Sequence, residues 1–339
     1  MNVTYDQIIG HDRQIQVLRS AIKSNRTAHA YLFAGPEGIG KRTTAISFAA
    51  ALNCETNGDS ACGECRSCRK IAEGNHPDIV FVEPDGRFIK IEQIRNLSRI
   101  TDFAPYEGRM RMFVIEQAEA MNINAANALL KTLEEPSDRT MLVLISSTPQ
   151  KLLPTILSRC QKITFKPLPP ERIERYLINA AGQSTEKSRL LASLSGGSLG
   201  WALQSDLDEV LEQRRMILSE LAGLNPADET AITAFAEKLQ ETGDNLPATL
   251  DLIKTFLRDA AIFAGNASPD RLINLDLADN AKNYGAQFTP GRLLNMGRSI
   301  AYAQRLLERN VNKGLVTMAL ALELVHPTGT GMDRERIPR

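Results

Sequence analysis

Two clusters of residues in this sequence have types and spacing suited to chemistry. In the first, Tyr31-Leu32-Phe33-Ala34 runs into Gly35-Pro36-Glu37-Gly38-Ile39-Gly40-Lys41, and a helix-forming stretch follows at once. Glycines spaced in this way let the backbone curl until its N–H groups face phosphate oxygens. The helix that follows adds the positive end of its dipole, and Lys41 adds a point charge for the β- and γ-phosphates. Gly35, Gly38, Gly40 and Lys41 are therefore candidate nucleotide ligands, with Arg42 and Thr43 opening the helix. Arg42 breaks the pattern, because a Ser or Thr hydroxyl is needed there to ligate Mg²⁺. Thr43 comes one residue too late, about 100° further around a helix. ATP or ADP could still be held at such a loop, but binding is expected to be weak or absent and hydrolysis absent.

Phosphoryl transfer also requires an acidic strand end. The candidate is Met112-Phe113-Val114-Ile115 followed by Glu116-Gln117-Ala118-Glu119. Glu116 stands on the metal side with a carboxylate one methylene too long. Gln117 stands where a base should orient water, and it cannot accept a proton at neutral pH. Loss of a general base alone forfeits a factor of about 10² to 10⁴.

The second cluster is Cys54, Cys62, Cys65 and Cys68, in a polar loop. Four thiolates at short spacing, with no open position, describe a closed tetrahedral structural zinc site. An iron–sulfur cluster could use the same ligands, but zinc suits the polar loop better. Cys160 stands apart.

These clusters must be positioned by a scaffold. Short apolar runs at Ala30–Ala34, Ile79–Val82, 110–115, 141–145 and 163–165 alternate with amphipathic stretches at 14–24, 42–52, Ile91–Thr101 and 124–134. Such alternation points to an α/β domain with a parallel sheet covered on both faces. After Pro167-Leu168-Pro169-Pro170 the strand pattern stops and helical spacing takes over. A small helical unit ends near Gln204, after Ser195-Gly196-Gly197-Ser198, and a larger all-helical one covers about 207–326. Within it, Thr289-Pro290 starts a helix whose apolar face is expected at Leu293, Leu294, Gly297, Ile300, Ala301 and Gln304. Residues 327–339 lack any period and are expected to be disordered.

Forty basic residues balance forty acidic ones, which excludes a strongly basic nucleic-acid coat protein and an acidic solvating tail. No apolar run reaches the length of a membrane span, and the first residues lack the regions of a secretory signal, so a cytoplasmic location is expected.

Several stretches together resemble the bacterial clamp-loader subunits of the AAA+ superfamily over about the first 205 residues. They are Ile8-Ile9-Gly10-His11, the phosphate loop, the cysteine cluster behind the helix that follows it, Asn124–Pro136 with its Leu129-Leu130-Lys131-Thr132-Leu133-Glu134-Glu135-Pro136, and Leu152–Cys160. The departures resemble the delta-prime branch rather than the gamma/tau motor. The motor keeps Thr after the loop lysine, Asp-Glu at the acidic strand end and a lid arginine, where this chain has Arg42, Glu116-Gln117 and Gly200. Gly74-Asn75-His76-Pro77-Asp78 also resembles a delta-prime signature. The resemblance implies an AAA+ domain over 1–166, a helical lid over 167–205 and a collar through which subunits assemble. It implies gamma/tau and delta as partners, with the sliding clamp and primed DNA engaged through the complex. It also makes Arg159, in Ser158-Arg159-Cys160, the residue that reaches a neighbour's ATP in trans. The competing readings are an active ATPase like gamma/tau and a sequence-reading DNA finger built on the cysteines, which lacks a groove reader's constellation of side chains.

Overall fold

The computed structural model describes residues 3–56, 58–101, 103–243, 246–268, 272–309 and 311–326. The chain divides into two compact units, Met1–Gln204 and Ser205–Arg339. The expectation of a disordered tail over 327–339 lies outside the described residues.

In the first unit, β1 (Ala30–Ala34), β2 (Ile79–Val82), β3 (Arg111–Ile115), β4 (Thr140–Ser146) and β5 (Gln161–Thr164) form one five-stranded sheet in the order β2-β3-β4-β1-β5. Every pairing is parallel, with Leu32 opposite both Leu144 and Lys162. A parallel sheet is buried on both faces, which explains why its strands read as nearly continuous apolar runs. Alternate residues serve opposite cores. Leu32, Phe113, Ile115, Leu142 and Leu144 pack with Ile94, Leu97, Leu129, Leu133 and Ile156 on one face. Tyr31, Phe33, Met112, Val114 and Val143 pack with Leu18, Ala45 and Phe48 on the other.

The helices of this unit are α1 (Asp12–Lys23), α2 (Lys41–Asn53), α3 (Arg66–Ala72), α4 (Ile91–Thr101), α5 (Ile123–Glu134), α6 (Pro154–Leu157), α7 (Pro170–Asn179), α8 (Thr185–Leu194) and α9 (Leu199–Gln204). No apolar period in the sequence marks the seven residues of α3, which is capped by a cysteine instead. The Cys65 sulfur accepts the N–H of Cys68 at its N-terminus. Asp78, fully buried, accepts the N–H groups of Tyr106, Glu107 and Gly108 and a guanidinium N–H of Arg111. It thereby fixes the loop that enters β3, at the sheet end away from the phosphate loop.

The second unit contains α10 (Leu207–Gly223), α11 (Glu229–Glu241), α12 (Leu246–Ala264), α13 (Ala278–Gly285), α14 (Pro290–Glu308) and α15 (Lys313–Val325), with no strand among its described residues. Leu218, Phe235, Ile253, Phe256, Met296, Ile300 and Leu320 form its core. One expectation is corrected here. The buried face of α14 runs through Leu293, Met296, Ile300 and Ala303, whereas Leu294 is 61% exposed. The 3.6-residue period fits 293, 296, 300 and 303, so including Leu294 made the expected stripe too wide.

Candidate functional site

The phosphate loop joins β1 to α2 at the C-terminal edge of the sheet, where open parallel sheets bind ligands. Gly38 and Gly40 adopt φ of +68° and +103°, in the left-handed region that favours glycine. A Cβ on Gly38 would lie 2.1 Å from Ser198 Oγ, so the loop also needs glycine there for close approach. The Gly35 N–H donates to Ser146 at the end of β4. Lys41 is buried and folds back on the loop, its ammonium donating to the carbonyl oxygens of Gly35 (2.6 Å) and Pro36. Burial holds this lysine below its ordinary pKa. Gly200, at the expected lid-arginine position, donates its N–H to Gly38 O at 2.7 Å, and a Cβ there would come within 3.0 Å of Gly38 Cα. A glycine thus lets the start of α9 sit directly on the loop.

Arg42 occupies the position at which a phosphate loop of the Mg²⁺-binding type carries a Ser or Thr hydroxyl. Its Nη1 lies 2.7 Å from Glu116 Oε1 and 2.9 Å from Glu83 Oε1, and its guanidinium stacks over Phe81. One nitrogen therefore bridges the first turn of α2 to the ends of β2 and β3. In phosphate-loop ATPases a bound Mg²⁺ draws together the corresponding loop hydroxyl and strand-end Asp. Burial raises the Glu116 pKa, and the nearby Arg42 opposes that rise. Thr43 lies half-buried beside Arg42 on the first turn. Gln117 is exposed with φ of +45°, an uncommon conformation for a side chain with Cβ.

Sequence spacing gave no signal for three further contacts. Glu119 Oε1 accepts from the backbone and hydroxyls of Ser147 and Thr148 at the end of β4, at 2.6–3.3 Å. Burial pushes the Glu119 carboxyl up, but these donors outweigh it and leave its pKa below the ordinary value. His11 Nε2 lies 2.8 Å from the Ile39 carbonyl oxygen. Glu134 pairs with Arg159 at 2.8 Å. Arg159 follows α6 and is separate from the chain's own phosphate loop; it also donates to the Thr155 carbonyl oxygen at 3.0 Å.

The four clustered cysteines converge as their spacing suggested. Their Sγ atoms all lie within 4.8 Å of one another, and Cys62 and Cys68 sulfurs are 4.0 Å apart. A tetrahedron with metal–sulfur bonds of about 2.3 Å has edges of about 3.8 Å, so a structural metal fits with small adjustments. The N–H groups of Cys62, Cys65 and Cys68 donate to the sulfurs of Cys54, Cys62 and Cys65. Such donors stabilise thiolate ligands. Burial pushes Cys54 up, but hydrogen bonds from Thr56 and Cys62 bring its pKa down to about 6, while burial raises Cys68. A cation at the centre removes the mutual repulsion that opposes ionising all four. Ser67 and Cys68 tie the module to the fold. Ser67 Oγ meets His76 Nε2, and Cys68 packs with Ile46, Ala50 and Ile71.

Comparison with known proteins finds the family described as "DNA polymerase III, delta subunit" over residues 10–169. The family described as "DNA polymerase III, delta subunit, C terminal" matches residues 208–326. The chain is 36% identical over 310 residues to the DNA polymerase III subunit delta-prime of Bacillus subtilis, covering 88% of this chain and 92% of that one. It is 43% identical over 199 residues to the same subunit of Pseudomonas aeruginosa, covering 56% and 60%. The DNA polymerase III subunit tau of Escherichia coli is 35% identical over 206 residues, covering 59% of this chain and 32% of the relative.

Proposed function

Since this chain belongs to the delta-prime family of DNA polymerase III clamp-loader subunits, we propose that it hydrolyses no ATP itself and supplies Arg159 to a neighbour's site. Its partners in this reading are gamma/tau and delta, and the assembly loads the sliding clamp onto primed DNA. The observation that carries the absence of hydrolysis is the position of Arg42. With one nitrogen between Glu116 and Glu83, a divalent cation brought to that point meets a fixed positive charge. Even if nucleotide entered the loop, Gln117 offers no base and Gly200 no lid guanidinium.

The part of Arg159 is to place a permanently charged planar fork on a γ-phosphate oxygen across a subunit interface. There it would stabilise the charge that develops during transfer. The metal at Cys54, Cys62, Cys65 and Cys68 is zinc in this reading, with a purely structural role.

The isolated chain tests the first half directly. With Mg-ATP it is expected to show no turnover above background and no tight binding by calorimetry. The competing motor reading draws on the intact Gly35–Lys41 loop and the likeness to tau. A turnover of about 1 s⁻¹ or faster, the ordinary range for enzymes, would favour that reading.

A further inference from the structure

Arg159 does not wave freely in solvent. Its Nη2 donates to Glu134 Oε1 at 2.8 Å, and its Nη1 donates to Thr155 O at 3.0 Å and Ser158 Oγ at 3.4 Å. Both partners of the ion pair stand on a rigid frame. Leu133, next to Glu134, and Ile156, three residues before Arg159, are buried in the same core with Leu129. The side chains themselves are 35% and 52% exposed, so the guanidinium retains an open side.

Glu134 is also poorly placed for its own helix. It is the last residue of α5, where the dipole favours cations and disfavours carboxylates. Helix stability alone therefore gives no reason for an acid here, whereas the contact with Arg159 does. We propose that Glu134 is a positioning residue for Arg159, holding the guanidinium by one edge so that the remaining donors face a neighbour's γ-phosphate. The inference rests on the reading that Arg159 acts in trans. An ordered arginine enters the interface with its rotamers already restricted, so less entropy is lost when it meets phosphate. An exposed pair is weak enough that phosphate can still pull the fork toward itself.

The test uses the full reconstituted complex with gamma/tau, delta, clamp and primed DNA, carrying Glu134→Ala, Glu134→Gln, Arg159→Ala or Glu134→Ala with Arg159→Ala. Glu134→Ala is expected to lower the maximal stimulated ATP hydrolysis about two- to fivefold with little change in KM, the size expected for one newly disordered side chain. Glu134→Gln keeps an acceptor oxygen at the same point and is expected to retain most of the rate. The double variant should be no slower than Arg159→Ala alone, and Glu134→Ala should not lower the melting temperature of the isolated chain. A slowing by Glu134→Ala that persists in the Arg159→Ala background would assign Glu134 a structural role and overturn the inference. So would a Glu134→Ala complex as fast as the unmodified one while Arg159→Ala is slow. If Arg159→Ala leaves hydrolysis unchanged, the trans-arginine reading itself fails, and this inference with it.

Discussion

Exchange of Cys68 for serine is expected to take bound zinc from one equivalent per chain to none, and to lower the melting temperature by at least about 5 °C. Serine offers no thiolate, and three ligands leave a coordination position that water must fill. Structural zinc contributes about 10–16 kcal/mol of apparent binding free energy in small fingers near neutral pH. Here only part of that reaches the fold, because the sheet domain has its own cores. The loss should be local. Helix α3 and the loop before it depend on the cysteines, and Cys68 is itself fully buried beside Ile46 and Ile71. Elemental analysis of protein purified without chelator measures the metal, and a thermal melt measures the consequence. Less than half an equivalent of zinc in the unmodified chain, or an iron chromophore, would overturn the assignment.

Arg159→Ala is the substitution expected to affect activity most, through the proposed contact with a neighbouring subunit's ATP. Arginines supplied in trans contribute about 10³ to 10⁵ in rate in known phosphoryl-transfer systems. Several ATP sites share the work of a clamp loader, so removing one arginine is expected to cut total stimulated hydrolysis less than that, by about three- to tenfold. Lysine should rescue poorly, because a compact ammonium cannot reproduce a planar fork. Gel filtration of the variant complex checks that assembly is intact. Full hydrolysis and clamp loading by an intact Arg159→Ala complex would make this a surface arginine paired with Glu134.

The sheet strands were legible because both faces are buried, which makes each strand a short apolar run set between helical patterns. Their ends were less so. The 163–165 run implied a strand ending at Phe165, but the ladder covers Gln161–Thr164, because pairing with β1 fixes the ends and hydrophobicity does not. The phosphate loop and the cysteine cluster were legible because their ligands are close in sequence. The carboxylate partners were not. Glu83 is 41 residues from Arg42, and Glu134 is 25 residues from Arg159. The first pair forms at the C-terminal edge of the sheet, after β1 and β2, and the second at the N-terminal edge, ahead of β4 and β5, so parallel pairing of the strands brings each together. In the sequence Arg42 stands out only as lacking the hydroxyl that ligates Mg²⁺, and the structure adds that it bridges the two acidic strand ends.

The proposed role is tested by mixing the purified chain with gamma/tau and delta subunits from the same organism, followed by gel filtration and a clamp-loading assay on primed DNA. One co-eluting complex is expected that contains this chain and loads the clamp in an ATP-dependent manner, with loading lost when the chain is left out. A chain that elutes alone, or a complex that loads clamps at full rate without it, would rule out a role for this chain in clamp loading.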